Sequence, residues 1–176
     1  MKTVKVILLC AVLYLPFFCF AWGTEGHRVC GEIASHHLTK KAQLTIASIL
    51  GDESIAMASN WADFIKADTV YNYLSSWHYI DLPDHFNYAS LQTYLKEDTA
   101  TDAYTKINFL SAQLKNKQLP KDKKVMYIKL LIHLVEDIHQ PLHTIGTEKG
   151  GNGIKVSWFN ESSNLHKMWD SDLILF

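Results

Sequence analysis

Cysteine is scarce in this chain: there are three in 176 residues, and two of them, Cys10 and Cys19, lie in an apolar opening run. Without that run only Cys30 remains, so no internal disulfide can form in an exported product. Its stability must then come from packing or from bound metal, and Cys30, set in an apolar helical pattern, reads as a small core residue. Repeats, linkers and low-complexity segments are also missing, which leaves one continuous domain. Excess positive charge is absent too, since 17 Lys and Arg stand against 18 Asp and Glu. That balance excludes binding duplex nucleic acid by charge alone, because counterion release needs a basic face. What the chain does have is 48% hydrophobic and 20% charged residues, the balance of a folded globule rather than a disordered or collagen-like chain.

Lys2 and Lys5 precede an uncharged stretch from Val6 to Ala21 that ends Cys19-Phe20-Ala21. A basic start, an apolar run shorter than the roughly 18 to 20 residues of a spanning helix, and a small-x-small exit make a signal peptide. Residues 1–21 are therefore read as a leader cleaved after Ala21, and 22–176 as the domain. The expected product is secreted or periplasmic, has no stable membrane association, and is mildly acidic because two lysines leave with the leader.

Helical periodicity dominates the rest. His27 to Leu38 carries Val29, Cys30, Ile33 and Ala34 at helical spacing, and Lys41 to Leu50 repeats the pattern before Gly51 stops it. Ser54 to Lys66, Thr101 to Leu114 and Lys121 to Gln140 follow as helices, the last bounded by Pro120 and Pro141. Two stretches read as extended, Trp77 to Asp81 and Ile154 to Phe159, and they can pair as a small ribbon. From Leu165 onward the pattern is helical again, ending on the apolar Leu173-Ile174-Leu175-Phe176. A bundle that stops there looks unfinished.

Histidine and aspartate carry the chemistry. His133 and Asp137 are four apart, as are His166 and Asp170. That spacing puts both side chains on one helical face, where imidazole and carboxylate can converge on one ion. A single pair of this kind is more often a plain hydrogen bond. Two pairs, with His143 just past Pro141, Trp61-Ala62-Asp63, Trp77-His78-Tyr79 and His27, shift the balance toward metal. Nitrogen and oxygen donors without thiolate suit zinc first, with manganese or iron as lesser options.

These residues resemble the S1/P1 nucleases, a family of zinc enzymes that cleave single-stranded nucleic acids and belong with the zinc phospholipases C. The resemblance runs through Trp22-Gly23-x-x-Gly26-His27, Trp61-Ala62-Asp63, Trp77-His78-Tyr79-Ile80-Asp81 and His133-x-x-x-Asp137-x-x-Gln140-Pro141-Leu142-His143. It continues through Gly150-Gly151-Asn152 to Asn164-Leu165-His166-x-x-Trp169-Asp170. It implies a mainly α, single-domain helical bundle of the phospholipase C/P1 nuclease type with a small β ribbon. It also implies that the family's C-terminal helices are lacking, so that the domain is C-terminally truncated.

By the same resemblance, three zinc ions are expected. Asp63, His78, His133 and Asp137 would hold one, and His143, His166 and Asp170 a second. His27, a bridging Asp137 and the free amine and carbonyl of Trp22 would hold the third. Trp22 would gain that amine only on leader cleavage, so maturation would complete the site, and metal could stand in for missing disulfides. The implied reaction is metal-assisted in-line hydrolysis at phosphorus, with catalytic roles for Asp63, Asp137 and Lys66. Three dications would also supply the positive field that the acidic chain lacks. Tyr79 and Asp81 match positions that stack on and hydrogen-bond a base, which suits unpaired strands.

One departure is Lys66, which stands where the family often has arginine and gives a point charge without bidentate geometry; a solvated helix-end lysine is an equal reading. His36, His37, His85 and His139 read as surface or satisfied polar residues, with support of a ligand as a second reading for His139; Asn152 reads as a turn residue. The expected function is a secreted, monomeric zinc endonuclease acting on single-stranded DNA, RNA or nucleotides, with 3′-nucleotidase activity as an extension. The alternatives are a phospholipase C-like phosphodiesterase and a non-catalytic zinc-binding remnant.

Overall fold

The computed structural model describes residues 22–175. The leader expected at 1–21, its cleavage after Ala21, and Phe176 lie outside the described residues.

The chain opens with α1 (Thr24–His37), where sequence and structure part company. Its apolar stripe faces outward, with Val29 52% and Ile33 55% exposed, while Gly26, His27 and Gly31 are buried. Cys30 is half-buried rather than a core residue. Glycine explains the inward face: a Cβ on Gly31 would lie 3.0 Å from the Ala56 Cα, so only glycine lets α1 cross so close to the next layer. α2 (Lys40–Leu50) is capped by Thr39, whose hydroxyl accepts the Ala42 N–H, and it stops at Gly51 with φ 69°.

The single helix expected from Ser54 to Lys66 is instead two short ones, α3 (Ile55–Ala58) and α4 (Trp61–Phe64), followed by a 3₁₀ turn over Ile65–Ala67. Ser59 and Asn60 lie between them, fully buried, and both side chains donate back to the Ala56 carbonyl. Such local bonds compete with the helical ladder. A 3₁₀ run over Thr69–His78 comes next and buries Leu74 and Trp77, three residues apart and so on one side of a threefold helix.

The expected ribbon between Trp77–Asp81 and Ile154–Phe159 does not form. Trp77 and His78 end the 3₁₀ run, and only from Tyr79 is the backbone extended. There Ile80 donates to the His143 carbonyl at 2.8 Å and Leu82 bridges Ile145. The ribbon that does form is a hairpin, β1 (Lys155–Trp158) with β2 (Glu161–Asn164), antiparallel with Lys155 opposite Asn164. Its turn places Phe159 and Asn160 at φ 46° and 69°, the left-handed pair that two-residue hairpins favour.

α5 (Tyr88–Glu97) was not expected; Asn87 and Ser90 form a reciprocal capping box at its start. α6 (Ala103–Leu114) begins with a second box from Asp102 and Thr105, and α7 (Lys121–Asp137) ends three residues before the expected Gln140. A 3₁₀ turn over Pro141–Thr144 follows, and α8 (Leu165–Lys167) runs into a wider-wound turn over Met168–Asp172. Ala62, Leu74, Trp77, Leu110, Leu130 and Leu134 form the apolar core, joining α4, the Thr69–His78 run, α6 and α7. The result is mainly helical with a small ribbon, as the sequence implied.

Candidate metal centre

The core occupies one face of α7. On the adjoining stripe of the same helix His133 and Asp137, one turn apart, turn toward residues from five other segments. α1 brings His27, α4 brings Asp63, and the end of the Thr69–His78 run brings His78. The turn after Pro141 brings His143, and the C-terminal turns bring His166 and Asp170. All eight side chains belong to buried residues. Backbone bonds hold the distant ends together, for Gly23 donates to the Asp170 carbonyl at 2.6 Å. A Cβ on Gly23 would strike Ser171 Oγ at 2.8 Å.

Three donor groups result, each with ligand atoms within 4.8 Å of one another: His78, His133 and Asp137; His143, His166 and Asp170; and His27, Asp63 and His133. Asp137 stands between them. Its Oδ2 lies 2.9 Å from His78 Nδ1 and 3.1 Å from His133 Nε2. Its Oδ1 lies 3.6 Å from His27 Nε2 and 3.5 Å from His143 Nδ1. One carboxylate thus faces members of all three groups, the layout expected of a bridge. Asp63 faces two histidines, 3.7 Å from His27 Nε2 and 3.6 Å from His133 Nε2.

The outer nitrogens of the histidines decide what the inner ones can do. His133 Nδ1 donates to the Ser59 carbonyl at 2.6 Å, His143 Nδ1 to the His78 carbonyl at 3.0 Å, and His166 Nδ1 to the Gly150 carbonyl at 2.6 Å. A carbonyl can only accept, so each of these nitrogens carries a proton, and each ring in its neutral form turns an Nε2 lone pair inward. Those lone pairs meet acceptors: His166 Nε2 is 3.0 Å from Asp170 Oδ2, as His133 Nε2 is 3.1 Å from Asp137 Oδ2. Lone pair against lone pair requires a proton or a cation between them. His27 Nε2, His78 Nε2 and Asp137 Oδ1 are buried with no hydrogen-bond partner at all. Orphaned donors of this kind, with nitrogen and oxygen and no thiolate, fit a zinc site.

The electrostatics agree. Burial works against charge on His133, but the carboxylates of Asp137 and Asp63 prevail and push it up to about 9. Burial likewise opposes ionisation of Asp137, and the charges of His133 and His78 hold it well below the usual carboxylate range. His27 goes the other way: burial and the neighbouring His133 lower it to about 3, so it stands as a neutral ring. Left to itself the cluster thus holds its carboxylates ionised around a protonated His133 and a neutral His27, and that proton occupies a place that a metal cation could take.

Lys66 Nζ lies 2.5 Å from Asp63 Oδ1 and its side chain reaches the edge of a cleft of about 570 Å³. His78, His143 and His166 form the cleft's inner wall, with Tyr79, Asp81 and Lys149 also lining it. Lys66 sits within the Ile65–Ala67 turn, paired with Asp63 and 26% exposed. Trp22 is half-buried and its indole N–H donates to the Glu136 carbonyl at 3.1 Å. Asn152 lines the cleft and donates to the Lys149 carbonyl within its own turn. His36, His37, His85 and His139 are exposed. His139 bonds the Val135 carbonyl within its own helix end and supports no ligand.

Three supports went unassigned in the sequence. Ser59 holds His133 through its backbone carbonyl, which no side-chain pattern could announce. Gln140 donates to Asp170 Oδ1 at 2.6 Å and accepts from the Leu142 N–H at 2.5 Å, fixing both sides of the proline turn. Glu136 Oε2 lies 2.6 Å from His27 Nδ1; its place directly before Asp137 was the available signal.

A family model described as S1/P1 Nuclease matches residues 22–175. Nuclease S1 of Aspergillus oryzae is 30% identical over 169 residues, covering 93% of this chain and 58% of the fungal protein. Endonuclease 2 of Arabidopsis thaliana is 29% identical over 188 residues, covering 99% of this chain and 63% of the plant protein. Nuclease P1 of Penicillium citrinum is 26% identical over 154 residues, covering 85% and 57%. The chain therefore spans less than two thirds of the length of these relatives. The family match takes in the whole donor cluster from Trp22 to Asp170, and by it the chain belongs to the S1/P1 nuclease family.

Proposed function

We propose that this chain is an exported, monomeric zinc endonuclease that hydrolyses phosphodiester bonds of single-stranded DNA and RNA and removes 3′-phosphate from nucleotides. The observation that carries it is the convergence of buried histidines and aspartates on the floor of an open cleft whose rim holds a tyrosine 42% exposed. Asp63, His78, His133 and Asp137 would hold one zinc, His143, His166 and Asp170 a second, and His27, Asp137 and the amine and carbonyl of Trp22 a third. Bound zinc supplies Lewis acidity, polarising phosphate oxygens and making water a nucleophile near neutral pH.

The chain's own groups do the rest. Asp137, ionised and shared between donor groups, keeps the ligands in one register. Asp63 stays ionised because the charges of His133 and Lys66 outweigh the cost of burying it. Lys66 places a fixed cation beside that carboxylate at the cleft edge, where a phosphate oxygen would lie. Tyr79 offers a ring for an unpaired base, and Asp81, exposed on the same wall, offers an acceptor to the base edge. A duplex presents no free base face to such a ring, which supports single strands as the substrate. Export rests on the leader read at residues 1–21, with the domain starting at Trp22. Among the described residues no helix is long and apolar enough to cross a membrane.

The test combines metal analysis of the protein expressed from its full-length coding sequence with cleavage of single-stranded and duplex DNA, beside Asp137→Ala. Zinc uptake with single-strand cleavage, lost by roughly 10³-fold in Asp137→Ala, is the expected result. Release of phosphocholine from a lipid instead would give the phospholipase reading, and full zinc without hydrolysis would give the non-catalytic one. An active Asp137→Ala protein would remove the bridge.

A further inference from the structure

Among the histidines of the cluster, His27 alone meets a carboxylate on its outer side among the described residues. The outer nitrogens of His133, His143 and His166 are served by backbone carbonyls. His27 Nδ1 lies 2.6 Å from Glu136 Oε2, and the side chain of Glu136 is only 9% exposed. On the other side of the ring, Nε2 has no hydrogen-bond partner and faces Asp63 Oδ2 at 3.7 Å and Asp137 Oδ1 at 3.6 Å. The ring stacks on His133 at 4.1 Å between centroids, tilted 23°, which fixes its plane but leaves its rotation to the bond with Glu136.

Glu136 has a second hold on the same segment. Its backbone carbonyl, at the end of α7, accepts the Trp22 indole N–H at 3.1 Å beside the His139 N–H at 3.0 Å. Glu136 and Asp137 are consecutive, and on a helix consecutive side chains diverge by about 100°. Asp137 therefore enters the cluster while Glu136 reaches sideways to α1. One turn of helix supplies both the shared carboxylate and the clamp on the amino-terminal donors.

We propose that Glu136 is a positioning residue for the amino-terminal metal: its carboxylate holds His27 with the proton on Nδ1 and Nε2 aimed at Asp63 and Asp137, and its carbonyl seats Trp22. This rests on the metal reading of the cluster. A carboxylate acceptor fixes the tautomer of a ligand imidazole and raises its basicity, and losing such a partner weakens metal binding by roughly 10- to 100-fold.

The test uses Glu136→Leu, which removes the acceptor while filling its space, and Glu136→Gln, whose amide oxygen can still accept from Nδ1. Zinc affinity is read by chelator competition, the number of ions by native mass spectrometry, and the His27 tautomer by ¹⁵N imidazole shifts. In Glu136→Leu one ion should weaken by roughly 10- to 100-fold with the others retained, and the Nδ1–H form of His27 should be lost; Glu136→Gln should recover the tautomer and most of the affinity. Overturning results are a Glu136→Leu protein with wild-type tautomer and affinity, an equal loss at every ion, or a Glu136→Gln protein no better than Glu136→Leu. Should Glu136→Leu not fold, Glu136→Gln decides alone: an Nδ1–H ring supports the proposal and an Nε2–H ring ends it. Wild-type protein that takes up no zinc would sink the metal reading instead, and the same spectra taken without metal would still show whether Glu136 sets the ring.

Discussion

Two adjoining buried faces of α7, about 60° apart around the helix axis, are equally dry and differently held. On one, Leu130 and Leu134 are fully buried against Ala62, Leu74, Trp77 and Leu110. On the other, His133 and Asp137 are also fully buried, among imidazoles and carboxylates. The apolar face gains about 1.5 to 3 kcal/mol for each large side chain it removes from water, and needs nothing further. The polar face takes charges out of water at several kcal/mol each, and recovers that only when every lone pair is answered. Burial alone does not describe either environment. What separates them is that the second keeps buried lone pairs without hydrogen-bond partners, grouped as a metal ion would need them.

The sharpest way to break that contrast is to exchange neighbours on the helix. His133→Leu should lower single-strand cleavage by roughly 10³-fold and cost the chain a bound ion, with zinc-free stability kept or raised because an apolar side chain replaces a desolvated polar one. Leu134→Ala should cost about 2 to 5 kcal/mol of unfolding free energy while zinc content and cleavage per folded molecule stay at wild-type values. Denaturant titrations with and without zinc measure both. If added zinc shifts the two variants by the same amount, the two faces are not energetically separate.

A smaller effect tests how far the polar face depends on supports behind its ligands. Gln140 donates to Asp170 and accepts from Leu142. Gln140→Glu keeps the acceptor for the Leu142 N–H and replaces the donor to Asp170 by a second carboxylate. Affinity for the ion expected at His143, His166 and Asp170 should fall by roughly 10- to 100-fold, with the apolar core untouched. Chelator competition checks the first part and the zinc-free melting curve the second.

How much of this was legible in the sequence also divides along the two faces. The donors were legible because i,i+4 spacing on α7 and again at His166 and Asp170 is a statement about side chains, and their neighbours matched a known family. The supports were not, since Ser59 and Gly150 act through carbonyls that every residue possesses. Helix positions were read well where periodicity was long, as in α6 and α7, and badly where side chains bond to their own backbone, as at Ser59 and Asn60. The extended reading of Trp77 and His78 failed because a threefold helix buries i and i+3, a pattern that short aromatic runs share with strands. α5 could have been found from Asn87 and Ser90, a capping pair three residues apart. On α1 the periodicity was real, but glycine and His27 occupy the inward side, so the apolar stripe marked the exposed face.

The smallest expected effect concerns a surface that is neither face of α7. Tyr79 follows directly on His78, yet its ring is 42% exposed on the cleft wall and belongs neither to the apolar core nor to the donor cluster. If it is a platform for an unpaired base, its partner arrives with the substrate, and its removal should be felt only in binding. Stacking of one base is worth about 1 to 3 kcal/mol, so Tyr79→Ala should raise KM for a single-stranded oligonucleotide by roughly 5- to 150-fold. The value of kcat should hold, because the contact is made equally before and during the reaction. Tyr79→Phe keeps the ring and should keep KM. Zinc content and melting temperature should not move in either variant. A Tyr79→Ala protein that instead loses zinc or stability would place the ring with the buried polar face, and the boundary between cluster and substrate wall would have to be drawn one residue further along the chain.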